Sequence, residues 1–166
     1  MADLYEQAYH IPAKPIGMGE NPDLTAPRSI PRVLIVEDTI EIGELIKAAL
    51  KGLNVVAVHE PRGSTALQTF QTLRPDVVLL DIGLPDMSGW RVLDLIKESP
   101  LEVRRPAVVI ITAYGDPANR LMGKLQGIHS YLVKPFTLDQ VRGVVRKIIS
   151  ESSSSGIEPL AKTLAT

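Results

Sequence analysis

Five residues that could act together in phosphoryl transfer lie at or just after the ends of four apolar runs. They are Glu37, Asp38, Asp81, Thr112 and Lys134. Carboxylates that are brought together repel one another unless a cation sits among them. Mg²⁺ suits such a group, because it prefers hard oxygen ligands and keeps several waters while it holds a phosphate. A carboxylate can also attack phosphorus and form an acyl phosphate, so this residue set predicts metal-assisted phosphoryl transfer.

These residues would divide the work of that chemistry among them. Asp38 and Asp81 are predicted as direct Mg²⁺ ligands, and Glu37 as a ligand that acts directly or through water. Phosphoryl transfer needs its equatorial oxygens neutralised, and Mg²⁺ and Lys134 would each take one of them. The Thr112 hydroxyl and a nearby backbone N–H would take the third.

The elements that position these residues are short apolar strands alternating with helices. The predicted strands cover residues 33–36, 55–58, 77–80, 107–111 and 131–133. Most are apolar throughout, as strands covered on both faces must be. Five β-α alternations predict a doubly wound α/β fold with a mostly parallel, five-stranded sheet. Ligands bind beyond the carboxyl ends of such strands, where the five residues stand.

The helices are predicted from apolar stripes of helical period and from capping residues at their starts. The first stripe comprises Ile42, Leu45, Ile46, Ala49 and Leu50, and the last comprises Leu138, Val141, Val145 and Ile148. Predicted caps are Asp38 with Glu41, Ser88, Asp116, and Thr137 with Gln140. The second helix has a poor cap at residues 60–63. The fourth, near residues 116–127, is expected to be the softest because Gly123 lies inside it.

Composition and chain ends limit the remaining possibilities. The chain of 166 residues fits one domain, with 18 basic and 19 acidic residues, so no global charge favours nucleic acid. Having no cysteine, it forms no disulfide or thiolate zinc site. We predict a Pro/Gly-rich arm at 1–31, a folded domain at 32–150 and a flexible Ser-rich tail at 151–166. Lacking a leader pattern or an apolar span, it is expected to be cytoplasmic and unanchored.

Four segments together resemble the receiver domain of two-component response regulators, over about residues 31–150. They are Glu37-Asp38, Asp81-Ile-Gly-Leu-Pro-Asp-Met-Ser-Gly89-Trp90, Ile111-Thr112-Ala113-Tyr114 and Tyr131-Leu-Val-Lys134-Pro135-Phe136. The resemblance implies a CheY-like sheet with strand order 2-1-3-4-5. It also implies a phosphorelay signalling role, with a histidine kinase or histidine phosphotransfer protein as phosphodonor. With no output module in sight, we expect a stand-alone receiver, which is a switch and not an enzyme with a separate substrate.

The resemblance also assigns roles to particular residues. Asp81 would be the phosphoacceptor, and Glu37, Asp38 and the Gly83 carbonyl would bind Mg²⁺. Lys134 would hold the phosphoryl group, with the Ala113 backbone as a further contact, and the peptide before Pro135 would be cis. Thr112 and Tyr131 match the family's switch pair. Phosphorylation would then repack a surface formed by helix four, strand five and helix five, for binding a downstream protein or for dimerisation.

Other interpretations of the same residues stay open. Asp38 could be only a helix cap, Asp81 turn chemistry, Thr112 a strand residue and Lys134 a surface cation. The chain could also be a phosphorylation-independent scaffold of receiver shape. A flavin or nucleotide binder shares the topology, but there is no glycine-rich phosphate loop after strand one. His129 is expected to be an exposed loop residue and Trp90 a packing residue.

Overall fold

Five parallel strands form the sheet, and they confirm the predicted architecture. The computed structural model describes residues 30–99, 105–113 and 126–154. The strands are β1 (Arg32–Val36), β2 (Val56–Glu60), β3 (Val77–Asp81), β4 (Ala107–Thr112) and β5 (Ser130–Val133). Every pairing is parallel, and the order is β2-β1-β3-β4-β5. This is the doubly wound α/β sheet, with the strand order that the resemblance implies.

Four helices flank the sheet within the described residues. They are α1 (Ile40–Leu50), α2 (Gly63–Leu73), α3 (Gly89–Glu98) and α4 (Leu138–Ser154), and a short 3₁₀ turn, Lys51–Leu53, follows α1. α4 corresponds to the fifth helix predicted from the sequence. Most of the predicted fourth helix lies outside the described residues. So do residues 1–29, Tyr114 and residues 155–166. No helix in the described ranges is both long and apolar enough to cross a membrane.

The core lies on both faces of the sheet, because successive strand residues point in opposite directions. On β3, Val77 and Leu79 belong to the cluster under α1 and α4, whereas Val78 and Leu80 belong to the cluster under α2 and α3. All five residues of β3 are buried. This explains why the central strands are continuously apolar in sequence.

Two residues of the predicted helix stripes are exposed, contrary to prediction. Leu45 is 55% exposed and Leu138 is 38% exposed. In α1 the buried face includes Gly43 and Ile46, so it is turned away from Leu45. Leu138 is the first residue of α4, so it lies at the end of the helix.

Two predicted helix caps are confirmed and one is wrong. Ser88 Oγ accepts a hydrogen bond from the Trp90 N–H at 3.2 Å. Thr137 and Gln140 form a reciprocal capping box, with bonds of 3.2 and 2.8 Å. Asp38 does not cap α1, because Thr39 occupies the N-cap position without a side-chain bond. The Asp38 carboxylate lies instead with two other carboxylates at the edge of the sheet.

The serine run after α4 does not end the helix where the sequence suggests. The helix continues to Ser154, four residues past the predicted boundary at 150. Ser150 Oγ donates a hydrogen bond of 2.8 Å to the Lys147 carbonyl, one turn earlier. A serine that bonds back to its own helix in this way is compatible with helical backbone. The division of the chain into arm, domain and tail stays a prediction, and its second boundary falls inside α4.

Candidate functional site

The carboxyl ends of four strands bring the predicted site residues to one edge of the sheet. Glu37 directly follows β1, Asp81 and Thr112 are the last residues of β3 and β4, and Lys134 directly follows β5. The parallel register pairs Asp81 with Ile111 and Thr112 with Val133, so these ends lie level. The convergence predicted from the sequence is confirmed by this geometry.

Three carboxylates at this edge form a group that could hold a metal ion. One oxygen from each of Glu37, Asp38 and Asp81 lies within 4.8 Å of the other two, and no second group of this kind occurs in the described ranges. Glu37 is fully buried and Asp81 is 5% exposed, whereas Asp38 is open to solvent. One exposed ligand among buried ones leaves a way in for a hydrated cation.

Lys134 is the cation that the structure places beside these carboxylates. Its Nζ lies 2.5 Å from Asp81 Oδ2 and 2.9 Å from Glu37 Oε1, with hydrogen-bond geometry in both cases. It also lies 2.7 Å from Glu37 Oε2, but this buried oxygen accepts no hydrogen bond within the described structure. Three ionised carboxylates beside one ammonium leave two negative charges uncompensated. Glu37 Oε2, which accepts no hydrogen bond from the described residues, is available as a metal ligand. The donor set therefore fits Mg²⁺.

Burial and ion pairing act against each other in the pKa values of this group. Burial raises the pKa of Glu37, and the hydrogen bond from Lys134 only partly offsets that effect. For Lys134, burial lowers the pKa, but its hydrogen bonds to Asp81 and Glu37 outweigh burial and the pKa is raised. Lys134 thus stays cationic at neutral pH. A divalent cation beside Glu37 would favour its ionised form further.

The segment after Asp81 folds back tightly onto it. Asp81 Oδ1 accepts a hydrogen bond of 3.0 Å from the Gly83 N–H. The Gly89 N–H donates to the Ile82 carbonyl at 2.9 Å. A Cβ atom on Gly89 would lie 2.2 Å from the Asp81 carbonyl oxygen, so a glycine is required there. Gly83, the predicted backbone ligand, is thereby held next to the Asp81 carboxylate.

Thr112, Ala113 and Tyr131 lie on or just after β4 and β5, the strands on the side of β3 away from β1. Thr112 is fully buried at the end of β4, and Ala113 follows it in an exposed position. Tyr131 pairs with Ile110 in the register and packs against the core cluster under α2 and α3. Their roles as phosphoryl contacts and switch pair stay predictions.

Three smaller predictions around the site are confirmed. Trp90 packs against the core cluster under α2 and α3. His129 is exposed in the loop before β5. The Lys134–Pro135 peptide is cis.

Asp86 is a residue near the site that the sequence did not reveal. Its two carboxylate oxygens accept hydrogen bonds of 2.9 Å from the backbone N–H groups of Gly63 and Ser64. Asp86 therefore caps α2, the helix whose own cap is poor, from the loop after Asp81. Slight burial raises the pKa of Asp86, but the bonds from Ser64 and Gly63 outweigh this and lower it to about 2. The only hint in the sequence was an acidic residue directly after Pro85, and no spacing rule connects that residue to the start of α2.

Asp86→Ala is expected to destabilise the protein by about 1 kcal/mol, the usual effect of a lost helix cap. The folded pKa of about 2 lies below the ordinary 3.8, so the carboxylate stabilises the fold above about pH 4. That contribution disappears as the pH falls toward 2. Urea unfolding at several pH values measures both effects, with Asp139→Ala as the control because Asp139 is a highly exposed helix carboxylate. An unchanged unfolding midpoint at neutral pH would contradict the capping role.

Comparison with known proteins gives a consistent result. The family described as "Response regulator receiver domain" matches residues 33–146. The chain is 32% identical over 123 residues to the probable transcriptional regulatory protein SilR of Salmonella typhimurium, covering 74% of this chain and 53% of SilR. It spans about half or less of the first curated relatives.

Two solved structures show the same likeness in three dimensions. The signal receiver domain of a putative LuxO repressor protein from Vibrio parahaemolyticus superposes with a TM-score of 0.70 and 30% identity, covering 76% of this chain and 95% of that one. The receiver domain of DrrB, described as activated by BeF3, superposes with a TM-score of 0.64 and 26% identity, covering 73% and 98%. In each case nearly the whole solved domain is matched.

Proposed function

Because this chain belongs to the response regulator receiver domain family, we propose that it accepts a phosphoryl group on Asp81 from a histidine kinase or histidine phosphotransfer protein. Receiver domains are phosphoacceptor switches of two-component signalling. The observation that carries the proposal is the buried Asp81 carboxylate, which shares one ammonium with Glu37 inside a group of three carboxylates. The chain spans only part of the length of its curated relatives, so this activity is proposed for the chain itself. We propose a cytoplasmic location for it as well.

In this mechanism Asp81 is the nucleophile. A bond forms between its carboxylate oxygen and phosphorus while the bond from phosphorus to the donor's histidine nitrogen breaks, and that nitrogen takes up a proton from solvent. Mg²⁺, held by Glu37, Asp38, Asp81 and the Gly83 carbonyl, would supply charge neutralisation for the transferred group. Lys134 would hold one phosphoryl oxygen, since its ammonium is already within 2.5 Å of Asp81.

The remaining contacts on the phosphoryl group come from β4. The Thr112 hydroxyl and the Ala113 N–H would bind a further phosphoryl oxygen, because Thr112 ends β4, the strand paired with β3, and Ala113 directly follows it. Thr112 moving toward that oxygen would leave space for Tyr131, two positions away in the register of β4 and β5. Phosphorylation would then shift the equilibrium between two conformations of the surface formed by the predicted fourth helix, β5 and α4. The favoured conformation would bind a downstream protein or a second copy of this chain.

Phosphorylation of Asp81 is tested by incubating the protein with Mg²⁺ and acetyl phosphate and measuring intact mass. We expect a mass increase of one phosphoryl group, lost in Asp81→Asn and lost when Mg²⁺ is chelated. Asp139→Asn is the matched control, because Asp139 is a highly exposed carboxylate on α4. No mass increase in the intact protein, or an undiminished one in Asp81→Asn, would refute the assignment.

A phosphorylation-independent scaffold of receiver shape is the competing function. It predicts that partner binding is the same for the wild-type protein and Asp81→Asn. We favour the switch, because buried carboxylates without a role would cost stability through desolvation and mutual repulsion.

A further inference from the structure

His59 is the second-last residue of β2, and its side chain contacts the main chain of Glu37. No motif or spacing in the sequence singled it out. Its side chain is only 5% exposed. Nε2 lies 2.8 Å from the main-chain carbonyl oxygen of Glu37, and Nδ1 lies 3.5 Å from Glu44 Oε1. A carbonyl oxygen only accepts hydrogen bonds, so Nε2 is the donor in this contact.

Gly43 in α1 makes the space that the imidazole occupies. A Cβ atom on Gly43 would lie 2.1 Å from His59 Nε2, far inside contact distance. Glycine inside a helix is less stable than alanine by up to about 1 kcal/mol. Its presence at this position admits the ring between α1 and β2, so His59 and Gly43 form a fitted pair.

The end of β2 holds both polar main-chain groups of Glu37. The Glu37 N–H donates to the Glu60 carbonyl at 3.2 Å, and the Glu37 carbonyl accepts from His59. The Glu60 side chain is itself held, because its Oε1 accepts a hydrogen bond of 2.6 Å from Thr69 Oγ1. The peptide that joins Glu37 to Asp38 is therefore anchored at its carbonyl by His59.

We propose that His59 is a positioning residue for the acidic site, which acts by anchoring the peptide between Glu37 and Asp38 so that their carboxylates meet Asp81 in the geometry Mg²⁺ requires. The inference rests on the proposed function, since it concerns the cation that would assist phosphorylation. Mg²⁺ demands near-ideal octahedral geometry. Loss of a group that orients a metal ligand typically weakens metal binding about 10- to 100-fold. In this role His59 would contact the Glu37 main chain and not the cation or the phosphoryl group.

Calorimetric titration of the full chain with Mg²⁺ tests this inference through the dissociation constant. His59→Leu removes the donor, and His59→Asn keeps an amide that is too short to reach Glu37. Both are expected to raise the Mg²⁺ dissociation constant about 10-fold. His59→Gln, whose amide nitrogen reaches as far as Nε2, is expected to stay near the wild-type value. A folded His59→Asn or His59→Leu protein that binds Mg²⁺ as tightly as the wild type would overturn the proposal.

A double-mutant cycle covers the case in which one variant folds poorly. Gly43→Ala pushes the imidazole away and is expected to weaken Mg²⁺ binding in the wild type, but not further in the His59→Asn background. Equal weakening in both backgrounds would overturn the proposal. Urea unfolding of each variant distinguishes a lost anchor from a general loss of stability. A general loss of stability would lower the unfolding midpoint but leave the Mg²⁺ affinity of the folded protein unchanged. Failure of the proposed function would appear differently, as Mg²⁺ binding by intact protein without phosphorylation of Asp81.

Discussion

Lys134→Met is expected to abolish phosphorylation of Asp81 and to destabilise the fold at neutral pH by about 3 kcal/mol, as when one partner of a buried ion pair is removed. The substitution keeps the length of the side chain but removes the ammonium that contacts both Asp81 and Glu37. Two buried carboxylates would then face each other without their cation. Intact mass after acetyl phosphate treatment measures the first effect, and urea unfolding measures the second.

The destabilisation of Lys134→Met is expected to shrink as the pH falls. Burial already raises the pKa of Glu37 above its ordinary 4.5, and loss of Lys134 removes the interaction that lowers it. A carboxyl whose folded pKa is raised stabilises the fold below its unfolded pKa, and that contribution is lost as the pH rises through the folded value. The difference from wild type should therefore decrease from neutral pH toward about pH 4.5. Lys147→Met, at a side chain 70% exposed, is the control and should show neither effect.

Gly89→Ala is expected to destabilise the protein by about 3 kcal/mol, at the upper end of the cost of overpacking. The new Cβ would lie 2.2 Å from the Asp81 carbonyl oxygen and 2.8 Å from the Ile82 Cα, so the backbone itself must move. Because that backbone carries Asp81, the proposed phosphoacceptor, phosphorylation should fall together with stability. Thermal or urea unfolding and the acetyl phosphate assay check the two effects.

Gly143→Ala is the matched control for that substitution, and its effect should have the opposite sign. Gly143 lies inside α4, and nothing stands within 4 Å of the Cβ that alanine would add. An alanine there is expected to stabilise the helix by about 0.5–1 kcal/mol. If Gly89→Ala were as well tolerated as Gly143→Ala, the close approach at Asp81 would have no energetic importance.

The strands and the edge of the site could be predicted because their physical causes are local or follow from topology. Continuous apolar runs such as residues 77–80 indicate strands buried on both faces, and β3 is buried throughout. Once the strands are parallel, their carboxyl ends share one edge. Glu37, Asp81 and Lys134 therefore lie along that edge, and with β3 between β1 and β4 their side chains meet.

The contacts that the sequence did not reveal join residues with no repeating pattern between them. Asp86 caps α2 across 23 residues, and His59 contacts Glu37 across 22. Neither distance follows from helical or strand period, and both depend on how the loops close. The exposed Leu45 is a related case, because the buried face of α1 includes Gly43, which lies against His59, instead of Leu45. The weak helix preference of serine predicted an end near residue 150, but the Ser150 hydroxyl bonds back to the Lys147 carbonyl and the helix continues.

The two hydrogen bonds that Asp86 accepts from Gly63 and Ser64 connect the start of α2 to the segment after Asp81, the proposed phosphoacceptor. A backbone shift that displaces Asp86 must either carry the start of α2 with it or break these bonds. The amide protons of Gly63 and Ser64 are thus natural probes of events at Asp81, although α2 packs on the face of the sheet opposite α4. The hydrogen-exchange rates of those two amides should therefore change when Asp81 is phosphorylated, although α2 itself takes no part in the chemistry.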